Sequence, residues 1–270
     1  MEKIIIDISH HNTVNDLKKT CIDGVMIRAT YGKVGIDSRL STHVKLAEKN
    51  NIPYGFYFYS YALNEESAQI EVDNFLNEIK EYKPTLPLAI DMEDADGYKK
   101  RNGFPTNETL VNICDLACRE IEKAGYYALI YASDSWFKDY LNHDKLDKYG
   151  KWVARWSTEK PVTEYQLWQY TSKGKIAGIT GNVDISKTTY DFPKIIANMK
   201  NKNNENVSRE TLKIGDKVKV TNRYDYNGVL CSSWVLNSVF EVMQINNDRI
   251  VIGTNGIVTS AWNLKDIQKV

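Results

Sequence analysis

The chain has 270 residues, 42% of them hydrophobic and 26% charged, and its 35 Lys+Arg balance 35 Asp+Glu. That length suits one large domain and one small one, with enough apolar content for a buried core. The charge balance excludes a global field that would draw the chain to nucleic acid or anionic lipid, and no stretch approaches the roughly 20 apolar residues of a membrane helix.

In chain order, Lys3–Ile8 (KIIIDI) reads as a strand, a helix is predicted over Val14–Thr20, and Gly24–Thr30 (GVMIRAT) is the next strand. A helix over about 41–50 leads to Pro53–Tyr61 (PYGFYFYSY). Glu65–Tyr82 reads as an amphipathic helix with Ile70, Phe75, Leu76 and Ile79 on one stripe. Leu86–Met92 is a strand, then a helix runs over about Thr106–Ala124, capped by Thr106 with Thr109 or Asn107 with Leu110 and closed by Gly125. Tyr126–Ala132 (YYALIYA) is followed by a short helix near Trp136–Leu141. After that, Lys151–Trp156, Tyr165–Tyr170 and Asn182–Ile185 are strand-like but too closely spaced for full crossover helices. Eight strands, with helices after the first five, predict a mainly parallel, irregular α/β barrel.

Asp191–Lys200 reads as a helix and Asn201–Ser208 (NKNNENVS) as a polar linker. Beyond it, short alternating strands with Gly and Asn-Asn-Asp turns predict a small all-β barrel. The expected division is 1–193, a linker over 194–208, and 209–270. Cys114 and Cys118 stand i, i+4 on a helix, and no Cys-x-x-Cys unit occurs, so buried reduced thiols are expected rather than a metal site. The start, MEKIIIDISHHN, lacks a basic n-region, a long apolar segment and a small-residue cleavage site. Synthesis in the cytoplasm without an export signal is therefore expected.

In PLAIDMEDAD an apolar strand runs into four carboxylates within six positions. Residues i and i+2 of a strand share a face, so Ala89, Asp91 and Glu93 point one way while Leu88, Ile90 and Met92 point the other. The two acids sit at the strand's C-terminal end, where barrel active sites are built. Asp7, which shares a face with Ile5 and Ser9, and Asp184 in GNVDIS repeat the device. An isolated Asp in such a run costs several kcal/mol, about 2–7, unless paired or hydrated, so three strands accepting it suggest a shared acidic pocket. Such a pocket suits either glycosidic hydrolysis, where crowding raises the pKa of the acid, or a hard cation bound through oxygens. His10 and His11 keep a transition metal open, although adjacent strand residues face opposite sides.

The ordered set DISHHN, MIRATYG, YGFYFYSYA, LAIDMED, YASDSWF, WVARW and LWQYTSKGKIAGITGNVDIS, over roughly residues 1–193, resembles glycoside hydrolase family 25, the muramidases of bacteria and phages. The resemblance implies a flattened, irregular (βα)5β3 TIM-like barrel that hydrolyses the β-1,4 bond after N-acetylmuramic acid in peptidoglycan. It implies Glu93 as general acid in the D-x-E motif. Asp91 would assist by orienting the substrate's 2-acetamido group, and Asp7 and Asp184 would complete the catalytic set. No metal and no cofactor are implied. Tyr57 matches a family Tyr, and Tyr131, Trp156 and Gln169 near strand ends are expected to bind substrate. Phe58, Trp156 and Ser186 depart from the commoner His, Tyr and Asn, which puts fine specificity rather than activity in question.

The tail, IGDKVKV through AWNL, resembles bacterial SH3-type modules that attach lytic enzymes to cell walls. The combination resembles a phage endolysin that acts on a Gram-positive wall after release through a separate pore, with a bacterial autolysin as the alternative. The tail is also a candidate for self-association through exposed strands, and NKNNEN for clipping. A non-catalytic glycan-binding barrel and a metal-dependent hydrolase are the rival readings.

Overall fold

Alternation along the first strand decides its two faces. In a computed structural model, which describes residues 2–17, 22–199 and 212–270, Ile6 and Ile8 join the apolar layer shared with the helices, while Ile5 joins a separate inner core. Leu88, Ile90 and Met92 likewise pack with the helices and Ala89 with the inner core, the two faces that the period of two predicts.

The chain forms two compact units, Met1–Ala197 and Asn198–Val270. In the first, eight strands follow one another around a closed sheet. They are β1 (Lys3–Ile8), β2 (Gly24–Tyr31), β3 (Tyr54–Tyr59), β4 (Leu88–Asp91), β5 (Ala128–Ser133), β6 (Gly150–Ala154), β7 (Leu167–Gly174) and β8 (Val183–Thr188). From β1 through β7 every neighbouring pair is parallel. β8 runs antiparallel to both β7 and β1 and closes the barrel. The mainly parallel barrel of eight strands expected from sequence thus has seven parallel strands and one reversed.

The crossover helices are α1 (Leu40–Lys49) after β2, α2 (Glu65–Ile79) after β3, α3 (Tyr98–Arg101) and α4 (Asn107–Lys123) after β4, and α5 (Asp134–Asp139) after β5. Among the described residues the first connection carries no helix. Thr13–Val14 instead pairs with Ile179–Thr180 as a short two-stranded ribbon, and residues 18–21 lie outside the described ones. The predicted helix over Val14–Thr20 therefore does not begin at Val14, its residues 18–20 lie outside the described ones, and among the described residues helices follow four strands. On α2 the buried stripe is Ala68, Val72, Phe75 and Ile79 with Glu71, and Ile70 is exposed. At 100° per residue Ile70 lies far round the helix from Ala68 and Val72, so hydrophobicity alone misplaced it. Thr106 caps α4 by accepting from the Thr109 amide, and Gly125 follows with φ 86°, a left-handed turn that favours glycine.

A helix over 192–199 places Phe192 and Ile196 in the inner core beside Ile5 and Leu86. Most of the polar linker read from sequence falls on residues 200–211, which lie outside the described ones.

The second unit is a five-stranded antiparallel sheet of β9 (Lys217–Val220), β10 (Phe240–Asn246), β11 (Arg249–Thr254), β12 (Ile257–Asn263) and β13 (Ile267–Lys269), ordered β12-β11-β10-β9-β13. Asn247 takes φ 52° in the turn between β10 and β11, a conformation Asn tolerates better than most residues. Val218, Phe240, Ile252 and Trp262 are fully buried in this unit's own core.

Candidate active site

The strand register puts Asp7 directly opposite Asp184 across the β1–β8 seam, and their carboxyls share a hydrogen bond. Burial and the facing Asp184 hold the Asp7 pKa well above the ordinary carboxylate value. Two carboxylates this close do not both ionise cheaply, so the pair as a whole keeps a proton to higher pH than a lone carboxylate does, with Asp184 raised as well. Gln169 Nε2 donates to Asp7 Oδ2 at 3.0 Å.

Asp91 ends β4 and Glu93 stands two residues beyond it. A cavity of about 210 Å³ is lined by all four acids, Asp7, Asp91, Glu93 and Asp184, with Tyr57 and Tyr131. The acids read from three separate strands therefore converge. Burial pushes the Glu93 carboxyl up to about 7; Lys99 opposes this, while Asp184, Asp96 and Asp94 add to it. Asp91 is also raised well above its usual value, by burial and then by Glu93, with Lys99 and Arg28 opposing. Its Oδ1 is buried without a hydrogen-bond partner. A lone acceptor of this kind is costly to bury, and a substrate N–H would satisfy it.

Tyr57 and Tyr131 both pack edge-on against Trp152, with ring centroids 5.9 and 4.7 Å away. Gln169 does not line the cavity. It is 1% exposed, and its Oε1 accepts from Tyr131 Oη at 3.0 Å and Trp156 Nε1 at 2.9 Å. One amide therefore orients Asp7, Tyr131 and Trp156 together. Trp156 is 64% exposed beyond β6, a solvent-facing indole held by its N–H. Phe58 packs in the outer layer with Phe75, away from the cavity.

Ser9, on Asp7's face, and His11 also line the cavity, as does Tyr59, which the sequence leaves undecided; Trp152 and Arg28 are neighbours that sequence reasoning missed. Alternation in KWVARW carries a signal for Trp152, since it shares an inward face with Ala154. Arg28 carries none, because it sits in a strand buried from Gly24 to Thr30 on either side of it and its use emerges only from Asp37, which accepts from Arg28 Nε at 2.9 Å and from the His10 amide at 3.0 Å. Of the two histidines only His11 lines the acidic cavity. Among the described residues no group of three or more His, Cys, Asp or Glu is placed to hold a metal ion.

A family model for glycosyl hydrolases family 25 matches residues 6–179. Lysozyme M1 of Streptomyces globisporus is 25% identical over 205 residues, which cover 71% of this chain and 69% of the relative. The modular autolysin LytC of Streptococcus pneumoniae, solved in complex with a synthetic peptidoglycan ligand, is 31% identical with a TM-score of 0.63. That match covers 69% of this chain but 46% of LytC, so the chain spans less than half of the autolysin's length. The catalytic domain of endolysin ply40 from bacteriophage P40 of Listeria monocytogenes is 29% identical with a TM-score of 0.57, covering 73% of this chain and 97% of the domain.

Proposed function

The chain belongs to glycosyl hydrolase family 25 and is a glycoside hydrolase, and on that premise we propose that it cleaves the β-1,4 bond between N-acetylmuramic acid and N-acetylglucosamine in peptidoglycan with Glu93 as general acid. The observation that carries this reading is a Glu93 carboxyl held near neutrality in a cavity with three further acids. Glu93 donates its proton to the glycosidic oxygen as the bond to the anomeric carbon breaks. Asp91, with its unpartnered buried oxygen, accepts the N–H of the substrate's 2-acetamido group. This aims the acetamido carbonyl oxygen at the anomeric carbon, and a bond forms there. Water then opens that ring, and Glu93, now a carboxylate, takes its proton. Asp7 and Asp184 stabilise the positive charge that develops on the sugar.

Glu93 works as an acid only while protonated. Hydrolysis is therefore expected to fall as pH rises through about 7, the value its burial sets. A pH profile of kcat/KM on soluble peptidoglycan fragments reads this, and a rate still climbing above pH 8 contradicts it. The chemistry needs no metal, so clearing of purified Gram-positive wall is expected to be unchanged in excess EDTA. Clearing that stops with EDTA and returns with a divalent cation would favour a metal-dependent hydrolase.

The exposed Trp156 suits the face of a sugar ring. Trp156→Ala is expected to raise KM several-fold with little change in thermal stability, measured on the same fragments.

We further propose that the second unit is an SH3-like module that holds the enzyme on the wall. The support is a small antiparallel sheet with its own core, and exposed Tyr224, Tyr226 and Trp234. An endolysin role is supported by the likeness to the Listeria phage endolysin domain, and an autolysin role by the likeness to LytC. Lysis of intact cells from outside by purified protein, compared with lysis on cytoplasmic expression with and without a membrane pore, separates the two.

A further inference from the structure

Lys99 is 0% exposed, although an ammonium is among the groups least often buried without a partner. It stands on α3, in a turn fixed by Asp94, whose carboxylate accepts from the Lys99 amide at 2.7 Å and the Lys100 amide at 3.0 Å. The side chain runs back into the fold, with Nζ 5.8 Å from the centre of the Tyr59 ring. There Nζ donates to two main-chain oxygens, that of Ser60 and, at 2.9 Å, that of Glu93. Ser60 directly follows β3 and Glu93 lies two residues beyond β4, so one ammonium joins the ends of the two strands that carry Tyr57 and Asp91. Glu71 on α2 reinforces the junction, accepting from Ser60 Oγ at 2.7 Å and the Tyr61 amide at 3.0 Å.

We infer that Lys99 is a positioning residue of the hydrolytic site, fixing the Glu93 main chain against Ser60 and supplying positive charge to the Asp91–Glu93 pair from inside the fold. The inference rests on the reading of Glu93 as general acid. The groups that face Lys99 are Asp91 from β4, Glu71 from α2, Asp94 from the following loop and Cys114 from α4. Glu93 in turn feels Lys99, Asp184, Asp96 and Asp94. Lys99 opposes the burial of both Asp91 and Glu93, and it heads the opposing charges on each. A staple alone would need only N–H donors. The charge matters because an acid that must later serve as base works best with a pKa close to the working pH. Burial and three neighbouring carboxylates would otherwise carry Glu93 further up.

The test compares pH profiles of kcat/KM on soluble peptidoglycan fragments for wild type, Lys99→Gln and Lys99→Arg. Lys99→Gln keeps N–H donors but loses the charge. Both limbs of its profile are expected to move to higher pH by about one unit, so activity on the acid limb falls by up to about tenfold while activity on the alkaline limb rises. Lys99→Arg is expected to keep the wild-type limbs. A folded Lys99→Gln whose activity falls evenly at every pH, or does not fall, overturns the inference. Should Lys99→Gln fail to fold, the double variant Lys99→Gln/Asp91→Asn decides. Recovery of its melting temperature supports the charge coupling, and a double variant no more stable than the single one overturns it. A wild-type enzyme that releases no reducing ends at any pH sinks the hydrolase reading and this inference with it.

Discussion

Glu93→Gln is expected to lose hydrolysis by about three orders of magnitude, within the range of a general acid, while becoming more stable than wild type at pH 8. The two effects have one cause. Glutamine keeps the shape of the side chain but has no proton to give at the leaving oxygen. The wild-type carboxyl binds its proton more tightly in the fold, at about 7, than at its ordinary value of 4.5. Its contribution to stability is therefore complete below about 4.5 and is lost as pH rises through 7. Glutamine does not ionise, so the variant escapes that loss, on the order of 1–2 kcal/mol after allowing for the partial exposure of the site. Stability traded for function is common where a charge is held in an apolar site. Thermal melts at pH 5 and pH 8, alongside rates, read both effects. A variant that is inactive and also less stable at pH 8 would mean that Glu93 is a structural residue.

Asp91→Asn carries the second large effect. Its carboxylate is buried with one oxygen unpartnered, and the proposed chemistry spends that oxygen on the substrate acetamido N–H. The substitution is expected to lower kcat about 10²–10³-fold, the scale of losing one preorganised contact in a dry site. KM should change less, because the contact matters most when the acetamido oxygen attacks. De-N-acetylated glycan provides the cross-check. Wild type on that substrate, which lacks the attacking acetamido oxygen, is expected to be at least as slow as Asp91→Asn on the acetylated one, and Asp91→Asn should cost little more there, since its partner is already gone. Losses that multiply would assign Asp91 a role independent of the acetamido group.

Much of this site was legible because strand periodicity is strict. The alternation in IIIDIS and PLAIDMED separates inner from outer residues, and the inner sets contain Asp7 and Asp91. Glu93 follows from the same alternation although β4 ends at Asp91: Met92 N–H still bonds the Tyr131 oxygen of β5 at 2.9 Å, and Glu93 lines the cavity with Asp91. The closing strand was less legible. β8 reverses because the eight residues between it and β7 are too few for a parallel crossover, a consequence that the spacing carries and the strand pattern itself does not. The first connection was misread because Val14 has a strand partner 165 positions away at Ile179, which no local window contains. Lys99 was invisible for a different reason. GYKKRNG reads as a solvated charge run, and only the folded turn around Asp94 directs one of its lysines inward. Gln169 was read as a substrate contact near a strand end, whereas its amide reaches the cavity through Asp7 and Tyr131.

The most direct test of the central claim is mass spectrometry of the ends released from purified Gram-positive peptidoglycan by wild type and by Glu93→Gln. New reducing N-acetylmuramic acid ends, present with wild type and absent with the variant, are the predicted result. Reducing N-acetylglucosamine ends, or muramic acid ends that persist in Glu93→Gln, would contradict it.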